Sequence, residues 1–161
     1  LDLRSTRYLG DDAAFELRLR YDEIKSAQLV FDGIEGSRSR LDLRYRWNSV
    51  GHSLAVRLGL EDNDRRDANA SPSRQRVQAD YGYQLNDRWG LGSTVSFRTS
   101  DYDDLALRRT EDLFSAALRV VYETGTAWQF SGSYQYSKND SSDPVYSYDR
   151  NLLTLGFQRL F

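Results

Sequence analysis

The sequence predicts an all-β fold, an antiparallel up-and-down barrel of about 8–10 strands. Three observations predict it. Apolar and polar residues alternate one for one over long stretches. Tight turns alternate with longer polar connections. A tryptophan recurs beside the tight turns, at Trp47, Trp89 and Trp128.

Strands are expected at 1–9, 14–22, 27–34, 38–47, 53–61, 75–85, 89–100, 109–122, 128–138 and 146–161. The stretches 1–9 and 27–34 alternate least cleanly, and an eight-stranded wall results if one of them is left out. In 14–22, Phe15, Leu17, Leu19 and Tyr21 alternate with Glu16, Arg18 and Arg20. The stretch 38–47 is the cleanest: Leu41, Leu43, Tyr45 and Trp47 occupy odd positions, and Arg40, Asp42, Arg44 and Arg46 occupy even ones. Strand side chains point to opposite faces in turn, so such a segment has one apolar and one ionic face. Leu54, Val56, Leu58 and Leu60 continue the pattern, as do Val77, Ala79, Tyr81, Tyr83 and Leu85. Trp89, Leu91, Val95 and Phe97 then define one strand; Phe114, Ala116, Leu118, Val120 and Tyr122 define the next; Trp128, Phe130, Tyr134 and Tyr136 define another. A helical period of 3.6 fits none of them.

The connections at 48–52, 86–88 and 124–127 are tight. Those at 61–74, 100–109 and 138–146 are longer, polar and acidic. That rhythm is the one expected of a transmembrane barrel, with short turns on one side and long loops on the other. The tryptophans then form an aromatic girdle at one membrane interface. Mean hydropathy is −0.70, and no apolar run approaches the roughly 20 residues of a membrane helix. A membrane barrel survives this test, because only every second residue of its strands faces lipid. The alternative is a soluble antiparallel sandwich or barrel, whose apolar faces meet in a shared core. Against it, several expected strands reach the roughly 9–11 residues of a membrane strand. On the membrane reading Leu41, Leu43, Tyr45, Leu58 and Phe97 face outward.

The even-odd pattern places Arg18, Arg20, Arg40, Asp42, Arg44, Arg46, Arg57, Glu61, Asp80 and Arg119, with Glu16, on the lumen side. Charges there need water or partners. Two uses are open: selection of an anionic or sugar-like solute by guanidinium groups, or an ion-pair network filling a narrow barrel. The runs Glu61-Asp62-Asn63-Asp64 and Asp101-Tyr102-Asp103-Asp104 read as solvated loop tips rather than hard-cation sites, since neither has EF-hand spacing. His52, the single histidine, falls in an expected turn. No His-based triad or multi-His site is available, and with no cysteine there is no disulfide or thiolate site. Catalytic residues, metals and cofactors are therefore expected to be none. Net charge is −2, which carries no nucleic-acid footprint. The chain opens on Leu1 without Met or signal peptide, and the expectation is one domain over 1–161, either a complete barrel or the C-terminal part of a larger one.

The ending, Tyr148-Asp149-Arg150-Asn151-Leu152-Leu153-Thr154-Leu155-Gly156-Phe157-Gln158-Arg159-Leu160-Phe161, resembles the last strand of bacterial outer-membrane β-barrels. Their assembly signal reads polar, any, Gly, any, any, apolar, any, aromatic. Thr154, Gly156 and Phe161 fit it, and Arg159 stands where an apolar residue is usual. The resemblance implies insertion by the barrel-assembly machinery, contact with outer-membrane lipid and lipopolysaccharide, and a periplasmic C-terminus. The ending is also similar in style to C-terminal barrels joined to tetratricopeptide scaffolds, such as exopolysaccharide porins and surface-lipoprotein assembly modifiers. That similarity implies a periplasmic tetratricopeptide region in the same protein and an export role for a polar solute or polymer. The other function class is a small non-conducting barrel for structure, adhesion or interaction.

Overall fold

The computed structural model describes residues 1–25, 33, 35–125 and 127–159. They form one nine-stranded antiparallel sheet in which each strand pairs with the next in sequence. The strands are β1 (Asp2–Tyr8), β2 (Ala13–Ile24), β3 (Gly36–Ser49), β4 (His52–Arg65), β5 (Ser73–Gln84), β6 (Trp89–Tyr102), β7 (Arg109–Glu123), β8 (Trp128–Ser141) and β9 (Tyr148–Arg159). Among the described residues β1 and β9 are the two ends of the strand order. Because every pairing is antiparallel, β1 and β9 run in the same direction.

The expected strand at 27–34 lies outside the described residues apart from Gly33, which stands in a 3-10 turn. β2 pairs directly with β3, from Ala13↔Trp47 to Ile24↔Gly36, so no strand stands between them. The strands are joined at the two edges in turn: β1–β2, β3–β4, β5–β6 and β7–β8 over short separations at one edge, and β2–β3, β4–β5, β6–β7 and β8–β9 over longer ones at the other. The tightest is the β3–β4 turn, where Ser49 pairs with His52. Gly51 adopts φ +74° there, and a Cβ on it would come within 3.2 Å of the Gln84 carbonyl oxygen. Glycine suits this position on both counts. In the β5–β6 turn, the Asn86 side-chain oxygen accepts from the N–H groups of Arg88 (2.9 Å) and Trp89 (3.0 Å).

The acidic runs correct an expectation. Glu61, Asp62, Asn63 and Asp64 are not a loop tip but part of β4, paired with Arg40, Ser39, Arg38 and Ser37. Asp101 and Tyr102 belong to β6, and only Asp103 and Asp104 lie in the connection. His52 likewise opens β4 rather than lying in the turn. At these strand ends both faces are polar, so hydropathic alternation stops while the hydrogen-bonded ladder continues.

One face of the sheet is apolar and open. Leu43, Leu58 and Phe97 are 38, 45 and 46% exposed, and Leu41 and Tyr45 on the same face are half-buried between neighbours. Phe15 and Tyr45 rings lie 5.0 Å apart. Among the described residues, the only buried apolar side chains are Ala14, Tyr102 and, in the β4–β5 connection, Pro72. No closed soluble core forms, so the soluble alternative fails. Burying large apolar side chains is the main favourable term for a soluble fold, and this face forgoes it unless lipid covers it.

The apolar band also slides along the strands. The row Leu19↔Leu41↔Leu60 continues as Gln75, Thr99 and Asp112. Toward the short turns, the row of His52 and Tyr83 continues as Leu91, Val120, Gly132 and Leu155. A band level with a membrane crosses the register rows in this way when strands are tilted and staggered. Its lower edge is aromatic: Trp89 packs on Tyr122 at 4.6 Å, Trp128 on Phe157 at 6.3 Å and His52 on Tyr83 at 4.7 Å.

The buried polar residues gather at the long-loop edge. Asn63 donates to the Pro72 carbonyl (3.0 Å), Asn139 donates to the Tyr146 carbonyl (2.7 Å), and the Ser71 hydroxyl accepts from the Arg65 N–H (2.8 Å). The 66–72 and 142–147 connections are thereby folded back on the strands that carry them.

Candidate functional site

The second face of the sheet is ionic, and its side chains are mostly half-buried where the apolar ones are exposed. It is concave. A cavity of about 640 Å³ is lined by residues of β3 to β8, from Arg44 and Arg46 to Ser133. Arg109 at the start of β7 also reaches back to the Asn69 side-chain oxygen of the β4–β5 connection, at 3.5 Å.

Register places the charged residues in rows across this face. One row runs Asp2, Arg20, Arg40, Glu61, Arg74. The next runs Arg4, Arg18, Asp42, Gly59, Arg76, Arg98. A third runs Glu16, Arg44, Arg57, Gln78. A fourth holds Arg46, Ala55 and Asp80, and a fifth holds Ser53, Gly82, Gly92 and Arg119. Arg18, Arg20, Arg40, Asp42, Arg44, Arg46, Arg57, Glu61, Asp80 and Arg119 thus share the one face. Arg119 stands apart from the rest, toward the short turns.

Sequence reasoning overlooked Arg74, Arg76 and Arg98. Arg74 and Arg76 have the parity of Asp80, and Arg98 has the parity opposite to Val95 and Phe97. It overlooked Arg109 and Glu111 as well, because they sit at the polar end of β7 where alternation is weak.

The ion pairs are unevenly shared. Glu16 binds Arg4 at 2.7 Å and Arg46 at 3.8 Å, and Asp2 binds Arg18. Asp22 binds Arg20 at 2.8 Å and Arg38 at 2.9 Å. Asp42 binds Arg40 at 2.8 Å. Glu61 binds Arg74 at 3.1 Å and Arg40 at 3.8 Å. Asp80 is held instead by neutral donors, Gln78 at 2.9 Å and Thr94 at 2.8 Å. Arg44, Arg57, Arg76, Arg98 and Arg119 have no ion-pair partner among the described residues. A guanidinium presents up to five N–H donors and always carries its charge, and in the contiguous four, Arg44, Arg57, Arg76 and Arg98, those donors can meet carboxylate or phosphate oxygens.

At the long-loop edge Arg109, only 7% exposed, lies between two rings. Its guanidinium carbon is 4.0 Å from the centre of Tyr102 and 3.9 Å from that of Tyr146, and it pairs with Glu111 at 3.0 Å. This clasp ties β6, β7 and the β8–β9 connection together. In the β6–β7 connection Arg108 is held above the usual arginine range, first by its hydrogen bond to Asp101. Among the described residues no three His, Cys, Asp or Glu side chains converge as a metal site.

Of the terminal signal residues, Thr154 and Gly156 lie in β9 on the concave face, opposite Ser133 and Ser131. Phe161 lies outside the described residues.

No curated protein and no solved structure matches this chain. The family described as Outer membrane protein beta-barrel domain matches residues 10–161. With its antiparallel meander, exposed apolar face and ionic concave face, the chain belongs to that family of outer-membrane β-barrels.

Proposed function

We propose that this chain forms the wall of an outer-membrane channel that passes a polar solute or polymer, with the concave face lining the water-filled lumen. The observation that carries this reading is the pairing of an open apolar face with an arginine-rich concave one. Interior charge of this kind tunes selectivity in membrane barrels.

The sheet edges support a larger barrel. β1 and β9 run in parallel, so joining them directly would break the antiparallel rule of bacterial barrels. An odd number of further strands restores it. More strands also widen the lumen, from one filled by side chains at about 8 strands to an open channel at about 16. Export of a polysaccharide or lipoprotein, with a periplasmic tetratricopeptide region, is the specific role that the resemblance of the last strand favours. On this reading the aromatic girdle and short turns face the periplasm, and the long loops face lipopolysaccharide.

A second reading, a non-conducting barrel, is favoured by the ion-pair mesh over β1–β4, which would fill a narrow lumen. Planar-bilayer recording of the full protein separates the two. Discrete conductance steps are expected, and a folded protein that never conducts supports the second reading. Deleting Phe161 is expected to lower outer-membrane levels by blocking insertion by the assembly machinery. Normal levels would show that Thr154, Gly156 and Phe161 are not an assembly signal.

A further inference from the structure

Four of the arginines without ion-pair partners are contiguous. Arg44 of β3 stands directly opposite Arg57 of β4, and Arg76 of β5 directly opposite Arg98 of β6. Arg57 and Arg76 are diagonal neighbours across the β4–β5 pair, because Arg57 faces Gln78. Like charges placed opposite each other in a sheet repel, and here two such pairs join into one patch.

The protein's own carboxylates form no ion pair with it. Of the acids nearest in register, Glu16, Asp42 and Glu61 are engaged by Arg4, Arg40 and Arg74, and Asp80, diagonal to Arg57, is held by Gln78 and Thr94. On β5 and β6 the patch is flanked by Gln78 and Ser96 toward the short turns and by Arg74 and Ser100 toward the long loops. The Nε groups of Arg44 and Arg98, like those of Arg38, Arg74 and Arg109, are shut off from solvent and have no hydrogen-bond partner, and a buried donor left unmade is uncommon in a native structure. Gly59 sits beside the patch between Asp42 and Arg76 in register, and leaves that point without a side chain. A Cβ there would approach the Asp42 Oδ1 to 3.1 Å. Next to it, a cavity of about 250 Å³ is lined by Arg18, Arg20, Arg40, Arg44 and Arg57 together with the ion-paired Glu16 and Asp42, and Arg76 and Arg98 border a separate, smaller one with Arg40, Glu61 and Arg74. The larger space can admit a single sugar acid or a phosphate group.

We propose that Arg44, Arg57, Arg76 and Arg98 form a binding site for an oxyanion, a carboxylate or phosphate group carried by the solute. Two oxygens on one centre match the planar fork of a guanidinium, so two opposed arginines can share one such group. The bound anion supplies the counter-charge that the chain withholds and accepts from the unmet donors. The inference rests on the concave face being water-filled, and it names the solute class: an anionic polymer or a phosphate compound rather than a neutral sugar.

The test uses the full protein folded in detergent micelles, with folding checked by heat-modifiable gel mobility. Calorimetric titration is run with oligogalacturonate, inorganic phosphate and neutral dextran. Oligogalacturonate or phosphate should bind and dextran should not. The Arg76→Gln/Arg98→Gln double variant should bind the anion at least about tenfold more weakly, the range expected for lost hydrogen bonds to a charged group. Arg119→Gln, outside the patch, should leave affinity unchanged. If the double variant does not fold, Arg44→Gln/Arg57→Gln takes its place. Binding of phosphate without oligogalacturonate supports the site and assigns it to phosphate compounds. Affinity unmoved by both double variants, equal losses for Arg119→Gln, or no binding of either anion would overturn the site. A protein that binds the anion but never conducts would overturn the channel reading and leave the site standing; one that conducts but binds neither anion would do the reverse.

Discussion

The two halves of the wall present the same outer face and different inner ones. Along β2–β5 the apolar face is Phe15, Leu17, Leu43, Leu58 and Val77, and along β6–β8 it is Val95, Phe97, Leu118, Val120 and Phe130. On the concave side, β2–β5 carry the arginine and carboxylate rows. β6–β8 carry Thr94, Ser96, Ser115, Ala117, Ser133, Gln135 and Ser137 in the corresponding places, with Arg98 at the border and Arg119 apart. The outer face answers to one solvent, lipid, which accepts any apolar side chain and rejects charge all round the wall. On the proposed channel reading the inner face meets water, which tolerates both chemistries, so it is free to differ from one half to the other. A charged half beside a hydroxyl half would then give that lumen a directional field rather than a uniform one.

The largest expected effect tests the shared face. Leu58→Arg and Leu118→Arg, one in each half, should each destabilise the folded protein by about 2–4 kcal/mol in lipid vesicles, as charge does near the bilayer midplane. Urea titration of both variants measures it. A marked inequality, or tolerance of either, would break the claim that the two outer faces are equivalent.

Next comes the buried ion pair of the hydroxyl half, Arg109 with Glu111. Arg109→Ala should cost about 2 kcal/mol, by loss of both ring contacts and of the Glu111 partner. It should also expose the 66–72 and 142–147 connections to limited proteolysis. Arg109→Lys should recover only part of this, since an ammonium lacks the planar surface that stacks between Tyr102 and Tyr146.

The third prediction separates the inner faces directly. Arg44→Gln/Arg46→Gln should shift the reversal potential in a salt gradient toward cations, with the heat-modifiable band intact. Ser96→Ala/Ser115→Ala should leave the potential where it is. Equal shifts from both would show that the chemical division of the concave face has no electrical consequence.

The smallest effect concerns the hydroxyl half's own cohesion. Ser115 and Ser137 hydroxyls lie 2.8 Å apart across β7 and β8. Removing one should cost about 1 kcal/mol, the net worth of an ordinary hydrogen bond, with no change in conductance.

The faces themselves were legible residue by residue. The alternation at 40–47 was enough to put Arg40, Asp42, Arg44 and Arg46 together on the side opposite Leu41, Leu43 and Tyr45. The same parity, carried upstream in β5 from Asp80, would have found Arg76 and Arg74. The strand ends were harder. Glu61, Asp62, Asn63 and Asp64 resemble a polar loop because the band of lipid ends before the ladder does, and hydropathy reports only the lipid.

Sequence alone therefore determined the period of 2, the sidedness of the charged residues within the cleanly alternating stretches and the rhythm of short and long connections, because each is a property of neighbours along the chain. Tertiary structure decided which strand meets which and at what offset. The direct β2–β3 pairing, the opposition of Arg44 to Arg57 and of Arg76 to Arg98, the assignment of each carboxylate to an arginine, and the clasp of Arg109 between Tyr102 and Tyr146 all follow from it. These are relations between residues far apart in sequence. A shift of a strand by two residues would keep every side chain on its face and change every partner.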